Sequence, residues 1–126
     1  DPNGPYALVI GKFLLQKSEG KPLTITGDGT HTRDFTNVRD TVHANMLAMD
    51  SDKVGKGEVI NIGAGRNVSV NEVAAMIGGH VVYVEPRLEP AHTLADITKA
   101  KKLLGWKPTV KLEDGIAELK KEAGLV

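Results

Sequence analysis

Short β-branched runs, each closed by glycine or proline, alternate along this chain with segments of helical apolar spacing. That alternation limits the possible folds more than any other feature. Pro22-Leu23-Thr24-Ile25-Thr26 stops at Gly27-Asp28-Gly29, Glu58-Val59-Ile60-Asn61-Ile62 stops at Gly63-Ala64-Gly65, and Val81-Val82-Tyr83-Val84 runs into Glu85-Pro86. These three are predicted strands. Helical spacing predicts a buried helix through Ala7–Leu15 that ends near Ser18-Glu19-Gly20, and a second along Val38, Val42, Met46 and Met49. Ser69-Val70-Asn71-Glu72 has capping-box spacing and opens a third, stopped by Gly78-Gly79. Two more follow at about Asp96–Leu104, ended by Gly105, and at Leu112–Ala123. Trp106, directly after Gly105, is expected to pack as core over the end of its helix. The class is therefore α/β, or a small α+β domain, with too few strands for a full doubly wound sheet.

Composition removes several classes of function. The 126 residues balance 16 Lys and Arg against 16 Asp and Glu, and a dedicated nucleic-acid binder should instead carry a basic excess. Apolar residues at 40% and charged residues at 25% describe an ordinary globular domain, long enough to bury a core. No apolar run approaches the ~20 residues that cross a bilayer, so no membrane partner is expected. The absence of cysteine excludes a disulfide scaffold, a thiolate zinc site and a cysteine nucleophile together, and it fits a cytoplasmic location. Asp1-Pro2-Asn3-Gly4-Pro5 shows no signal-peptide pattern, and the missing initial Met suggests that residue 1 is a cut end.

Few stretches carry candidate chemistry. Gly63-Ala64-Gly65 imitates the start of a dinucleotide fingerprint, but the third glycine should fall at position 68, which is Val68. A plain loop before a capped helix is the simpler reading. In Gly27–Phe35, Arg33 offers a planar fork of donors suited to phosphoryl oxygens; the alternative is a solvated Arg33–Asp34 pair in a polar turn. Pro86-Arg87-Leu88-Glu89-Pro90-Ala91-His92 reads as a ligand rim or as an exposed connector. His31, His43, His80 and His92 have no ligand spacing to one another, so no metal site is expected. No serine-hydrolase pattern is present.

The order of these motifs resembles the C-terminal part of the extended short-chain dehydrogenases that act on nucleotide sugars. UDP-glucose 4-epimerases and dTDP-glucose 4,6-dehydratases are familiar members. The resemblance rests on Pro22–Gly29, Thr32-Arg33-Asp34-Phe35, Val59-Ile60-Asn61-Ile62-Gly63 and Leu94–Trp106, and Asp1–Ala7 is similar to the segment after the family's Tyr-Gly-Pro-Arg. It implies that Thr24, Ile25 and Thr26 line the nucleotide base and that Arg33 holds the diphosphate. Asn61 would lie near the base or ribose, while Arg87 and Glu89 would close over diphosphate and ribose. The rim departs from the usual Arg-Pro-Gly-Asp-Val-Arg-His: it is one residue shorter, with Glu89 for Asp and Ala91 where a second Arg is common. Asn37 stands where the family usually has Tyr, which suggests weaker core packing there.

Members of that family bind NAD on an N-terminal Rossmann domain and use a Tyr-x-x-x-Lys pair. Here Tyr6 is followed four places on by Ile10, and Tyr83 by Arg87. The resemblance therefore implies a substrate-binding half, residues 1–126, with a UDP-sugar as ligand and the Rossmann domain as partner. It binds no NAD and has no catalytic residue of its own. A 4-epimerase is the expected whole enzyme. The alternatives are a dehydratase, decarboxylase or reductase on the same scaffold, or a non-catalytic binding module. The face toward the missing half is expected to be apolar and to promote self-association, with the first helix (Leu8, Phe13, Leu14) as its candidate.

Overall fold

Helix α1 (Val9–Ser18) ends in a hydrogen-bond pattern that requires glycine. Gly20, at φ +68°, donates to the Lys17 carbonyl while Lys21 donates to that of Gln16, closing a Schellman motif. This is the first element of a computed structural model that describes residues 8–126; Asp1–Ala7, which the resemblance includes, lie outside them. The remaining elements are β1 (Leu23–Thr26), β2 (Thr32–Asp34), α2 (Val38–Asp50), β3 (Asn67–Ser69), α3 (Val70–Ile77), β4 (Val81–Val84), α4 (Thr98–Leu104) and α5 (Leu112–Glu122). The mixed α and β class is as expected.

Strand β1 pairs in parallel with β4, Ile25 opposite Tyr83, and β2 pairs antiparallel with β3, Arg33 opposite Val68. Along β1 the side chains alternate, so Leu23 and Ile25 enter the main core while Thr24 and Thr26 face outward. That core joins Phe13 of α1, Val73 and Ile77 of α3 and Ile116 of α5. The capping box forms as its spacing predicts: Glu72 N–H donates to Ser69 Oγ, and Glu72 Oε2 accepts from Ser69 N–H. Arg66 clasps Glu113 on α5 through both guanidinium nitrogens, at 3.0 and 2.7 Å, which holds the Glu113 carboxyl down at about 2.

A second, smaller core gathers Ala44, Ile97, Ala100 and Trp106. Trp106 is fully buried, as expected, and its Nε1–H donates to the Asp40 carbonyl at 3.0 Å. Asp40 itself is buried, and its carboxylate accepts from Thr109 N–H, Thr109 Oγ1–H and Val110 N–H. Burial pushes its pKa upward, but these three bonds outweigh it and leave the carboxyl below its ordinary 3.8.

Two expectations are corrected. Residues 58–62 form no strand: Val59 is 78% exposed and Glu58 turns back to accept from Gly55 and Lys56 N–H. The β-pattern is present, but a strand needs a ladder partner, and no described strand pairs with this segment. Helix α1 itself is not the exposed apolar face: Phe13 is fully buried against α3 and β1 and Leu14 is half-buried, and of the three residues expected there only Leu8, which precedes the helix, is 81% exposed. That face belongs to α2, where Val38, Val42, Met46 and Met49 recur on one side and are all at least half exposed. Asn37, for its part, caps α2, its Oδ1 accepting from Arg39 N–H at 2.9 Å.

Candidate functional site

The C-terminal end of β1, strand β2 and the loop after β4 converge on one carboxylate. Glu89 Oε2 accepts from Arg33 Nη2 at 3.0 Å, and its Oε1 accepts from Thr26 Oγ1 at 3.3 Å. His31 Nε2 lies 3.5 Å from the same Oε1. The loop is brought there by a single parallel bridge, in which Thr32 N–H donates to Ala91 O and Thr93 N–H to Thr32 O. Thr32 Oγ1 completes the tie, sharing a 2.9 Å hydrogen bond with His92 Nδ1 and accepting from Asn67 Nδ2.

Alternation along β2 sends its other face to a structural task. Asp34 does not pair with Arg33 in solvent. Its carboxylate accepts from the Ala64, Gly65 and Ala95 N–H groups at 2.7, 3.0 and 3.1 Å. Both amides of the Gly63-Ala64-Gly65 loop that could have cradled a pyrophosphate are thereby consumed. The segment that follows is β3, not a helix N-terminus. This loop does not fit the pyrophosphate of a dinucleotide.

Of the sequence-predicted residues, Thr26, Arg33 and Glu89 meet. Thr24 belongs to a different contact, exchanging two hydrogen bonds with the Gln16 side-chain amide. Ile25 is buried in the main core and could reach a ligand only through its main chain. Asn61 is exposed on the unpaired segment 58–62. Arg87 is exposed on the loop and joins no ion pair among the described residues. His31 and His92 were missed by sequence reasoning as site residues. For His31 a signal existed: two places before Arg33 in an extended stretch, it must share that side chain's face.

Two clefts lie elsewhere. One of about 580 Å³ runs past Gly65, Asp96, Lys101 and Lys107, and one of about 240 Å³ past Phe35, Arg66 and Pro108. No candidate residue lines either, so the half-buried Arg33–Glu89 cluster stands apart from both clefts. Its chemistry is recognition: a guanidinium fork for an anion, and a carboxylate and a hydroxyl for polar partners. Among the described residues no cluster is suited to a metal ion.

Residues 6–119 match the family described as GDP-mannose 4,6 dehydratase. The chain is 39% identical over 129 residues to a UDP-N-acetyl-alpha-D-glucosaminuronate decarboxylase of Bacillus cytotoxicus, covering 92% of this chain and 40% of that protein. It resembles the crystal structure of the Thermotoga maritima UDP-glucose 4-epimerase with UDP-glucose at 37% identity and TM-score 0.84, over 97% of this chain and 42% of that one. The Bacillus cereus UDP-glucuronic acid 4-epimerase, in complex with UDP-glucuronic acid and NAD, is similar at 34% identity and TM-score 0.87, over 98% and 40%. The chain spans about two fifths of the length of these relatives. The chain belongs to the extended short-chain dehydrogenase family of nucleotide-sugar epimerases and dehydratases.

Proposed function

We propose that residues 1–126 are the substrate-binding part of an NAD-dependent nucleotide-sugar enzyme, with a UDP-hexose as ligand and 4-epimerisation as the reaction. The observation that carries this reading is the convergence of Arg33, Glu89 and Thr26 at the end of β1. Arg33 takes the diphosphate, and Glu89 takes ribose hydroxyls once the phosphate competes for its partner. Arg87, on the same loop, closes over the diphosphate, while Thr24–Thr26 and Asn61 serve the base and ribose side. Binding energy from this nonreacting handle holds the sugar in position for hydride transfer on the NAD-bearing part. The similarity to a uronate decarboxylase supports a second reading, in which the same handle serves a sugar acid. The residues that would separate the two reactions do not lie in the cluster.

Calorimetry with UDP and with uridine tests the reading. The isolated chain should bind UDP with a dissociation constant on the order of millimolar and uridine far more weakly, because the diphosphate supplies most of the charge-assisted contact. Arg33→Ala should weaken UDP at least about tenfold, the loss of one charged hydrogen-bonding group. Equal binding of UDP and uridine, or an unaltered Arg33→Ala variant, would count against the assignment.

The α2 stripe and the unpaired 58–62 segment support a docking face for the NAD-bearing part, one element supplying apolar cover and the other main-chain groups outside any ladder. The isolated chain should therefore self-associate at high concentration. Val42→Glu with Met46→Glu should return it to monomer in sedimentation runs. A wild-type chain that stays monomeric and binds no hydrophobic dye would remove the docking face.

A further inference from the structure

Ligand binding at this site creates a charge problem that the cluster must solve. Glu89 neutralises Arg33 across 3.0 Å. A diphosphate that takes Arg33 leaves Glu89 beside an anion, without its cation, in a site where Arg33 and Glu89 are only 23% and 35% exposed. Two like charges in so confined a place repel, and the repulsion must be offset locally.

His31 stands where that offset is needed. Its Nε2 is 3.5 Å from Glu89 Oε1, its side chain is 17% exposed, and its carbonyl is pinned by the Val70 N–H at 3.1 Å. Its charged neighbours come from three elements. The turn after β1 contributes Asp28, which is held below its ordinary value by Thr30 and, in lesser part, by the charge of His31 itself. Strand β2 contributes Arg33, and the loop after β4 contributes Glu89. The start of α3 adds neutral Asn71, with Glu72 turned back on Ser69. His92 is engaged with Thr32. Asp28 and Glu89 are the anions facing His31 and Arg33 is the cation; a diphosphate on Arg33 cancels that cation's charge.

We propose that His31 is a positioning residue of this site, taking over Glu89 as an imidazolium when the diphosphate takes Arg33, so that binding draws one proton from solvent onto the His31 ring. The inference rests on the diphosphate reading of Arg33. It makes affinity for a nucleoside diphosphate sugar rise as pH falls through the histidine range.

UDP-glucose is the suitable probe, since both of its phosphates are esterified and neither titrates in that range. Calorimetry from about pH 8 to about pH 6 should show affinity rising several-fold. Runs in two buffers of different ionisation enthalpy should show net proton uptake on binding. His31→Gln, which keeps a neutral donor, should bind with a flat profile and no uptake; His92→Gln should keep the wild-type slope. Binding that depends on Arg33 but is flat in the wild type, or that keeps its slope in His31→Gln, overturns the role of His31 and leaves the diphosphate reading standing. No binding of UDP-glucose at any pH overturns both.

Discussion

Replacing Asp40 with alanine should destabilise the chain by about 3 kcal/mol, because two main-chain N–H groups and a hydroxyl lose a buried ionic acceptor at once. The carboxylate fastens the start of α2 to Thr109 and Val110, in the segment that leads into α5. The same residue's carbonyl receives the Trp106 indole N–H, so the substitution loosens the wall of the second core. Asp40→Asn should cost about half as much, since one acceptor oxygen remains while the new amide opposes an N–H group. Urea denaturation measures both, and an unchanged slope would keep the comparison one of stability alone. The pH dependence follows from the lowered carboxyl. Asp40 stabilises the fold fully above its ordinary 3.8, and that contribution is lost as pH falls through its lower folded value. Asp40→Asn should therefore flatten the acid limb of the stability curve below about pH 4. A variant within about 0.5 kcal/mol of wild type would show that water replaces the carboxylate without loss.

Asp34→Ala should have the next largest effect, about 2 kcal/mol, and should reach the site as well as the fold. Three amides from two loops, Ala64, Gly65 and Ala95, converge on its carboxylate, and Arg33 is its chain neighbour. Space at this junction is fully used. A Cβ on Gly63 would stand 2.4 Å from Ala95 Cβ and 2.8 Å from Asp34 Oδ2, so Gly63→Ala forces the two loops apart. Hydrogen exchange should speed at Ala64, Gly65 and Ala95 in either variant, and UDP binding should weaken as Arg33 loses its fixed base. Exchange at wild-type rates in both variants would mean that the loops are held by other contacts.

Which parts of this arrangement the sequence could reveal depended on how local their causes are. The helices were legible because apolar spacing and caps act within a few residues: the capping box at Ser69 and Glu72 forms as its spacing requires. Strands β2 and β3 were not, since Thr32-Arg33-Asp34 and Asn67-Val68-Ser69 carry no β pattern and exist only through pairing across the chain. Residues 58–62 erred in the opposite sense, having the pattern without the partner. The exposed face was assigned to α1, whose apolar content is higher, whereas burial follows the packing of Phe13 and leaves α2 uncovered. At the site, the resemblance names Arg33 and Glu89, 56 residues apart in the chain, and the fold brings them to 3.0 Å. It also named Ile25, where strand alternation already sends the side chain inward with Leu23.

An NMR titration of the chain with UDP-glucose, followed amide by amide, bears most directly on the nucleotide-sugar assignment. Shifts should concentrate at Thr24–Thr26, His31–Arg33 and Arg87–His92, where the three elements meet, and should vanish in Arg33→Ala. Shifts confined to the cleft past Gly65, Asp96 and Lys107, or no shift at about ten millimolar ligand, would contradict the assignment of this surface to a nucleotide sugar.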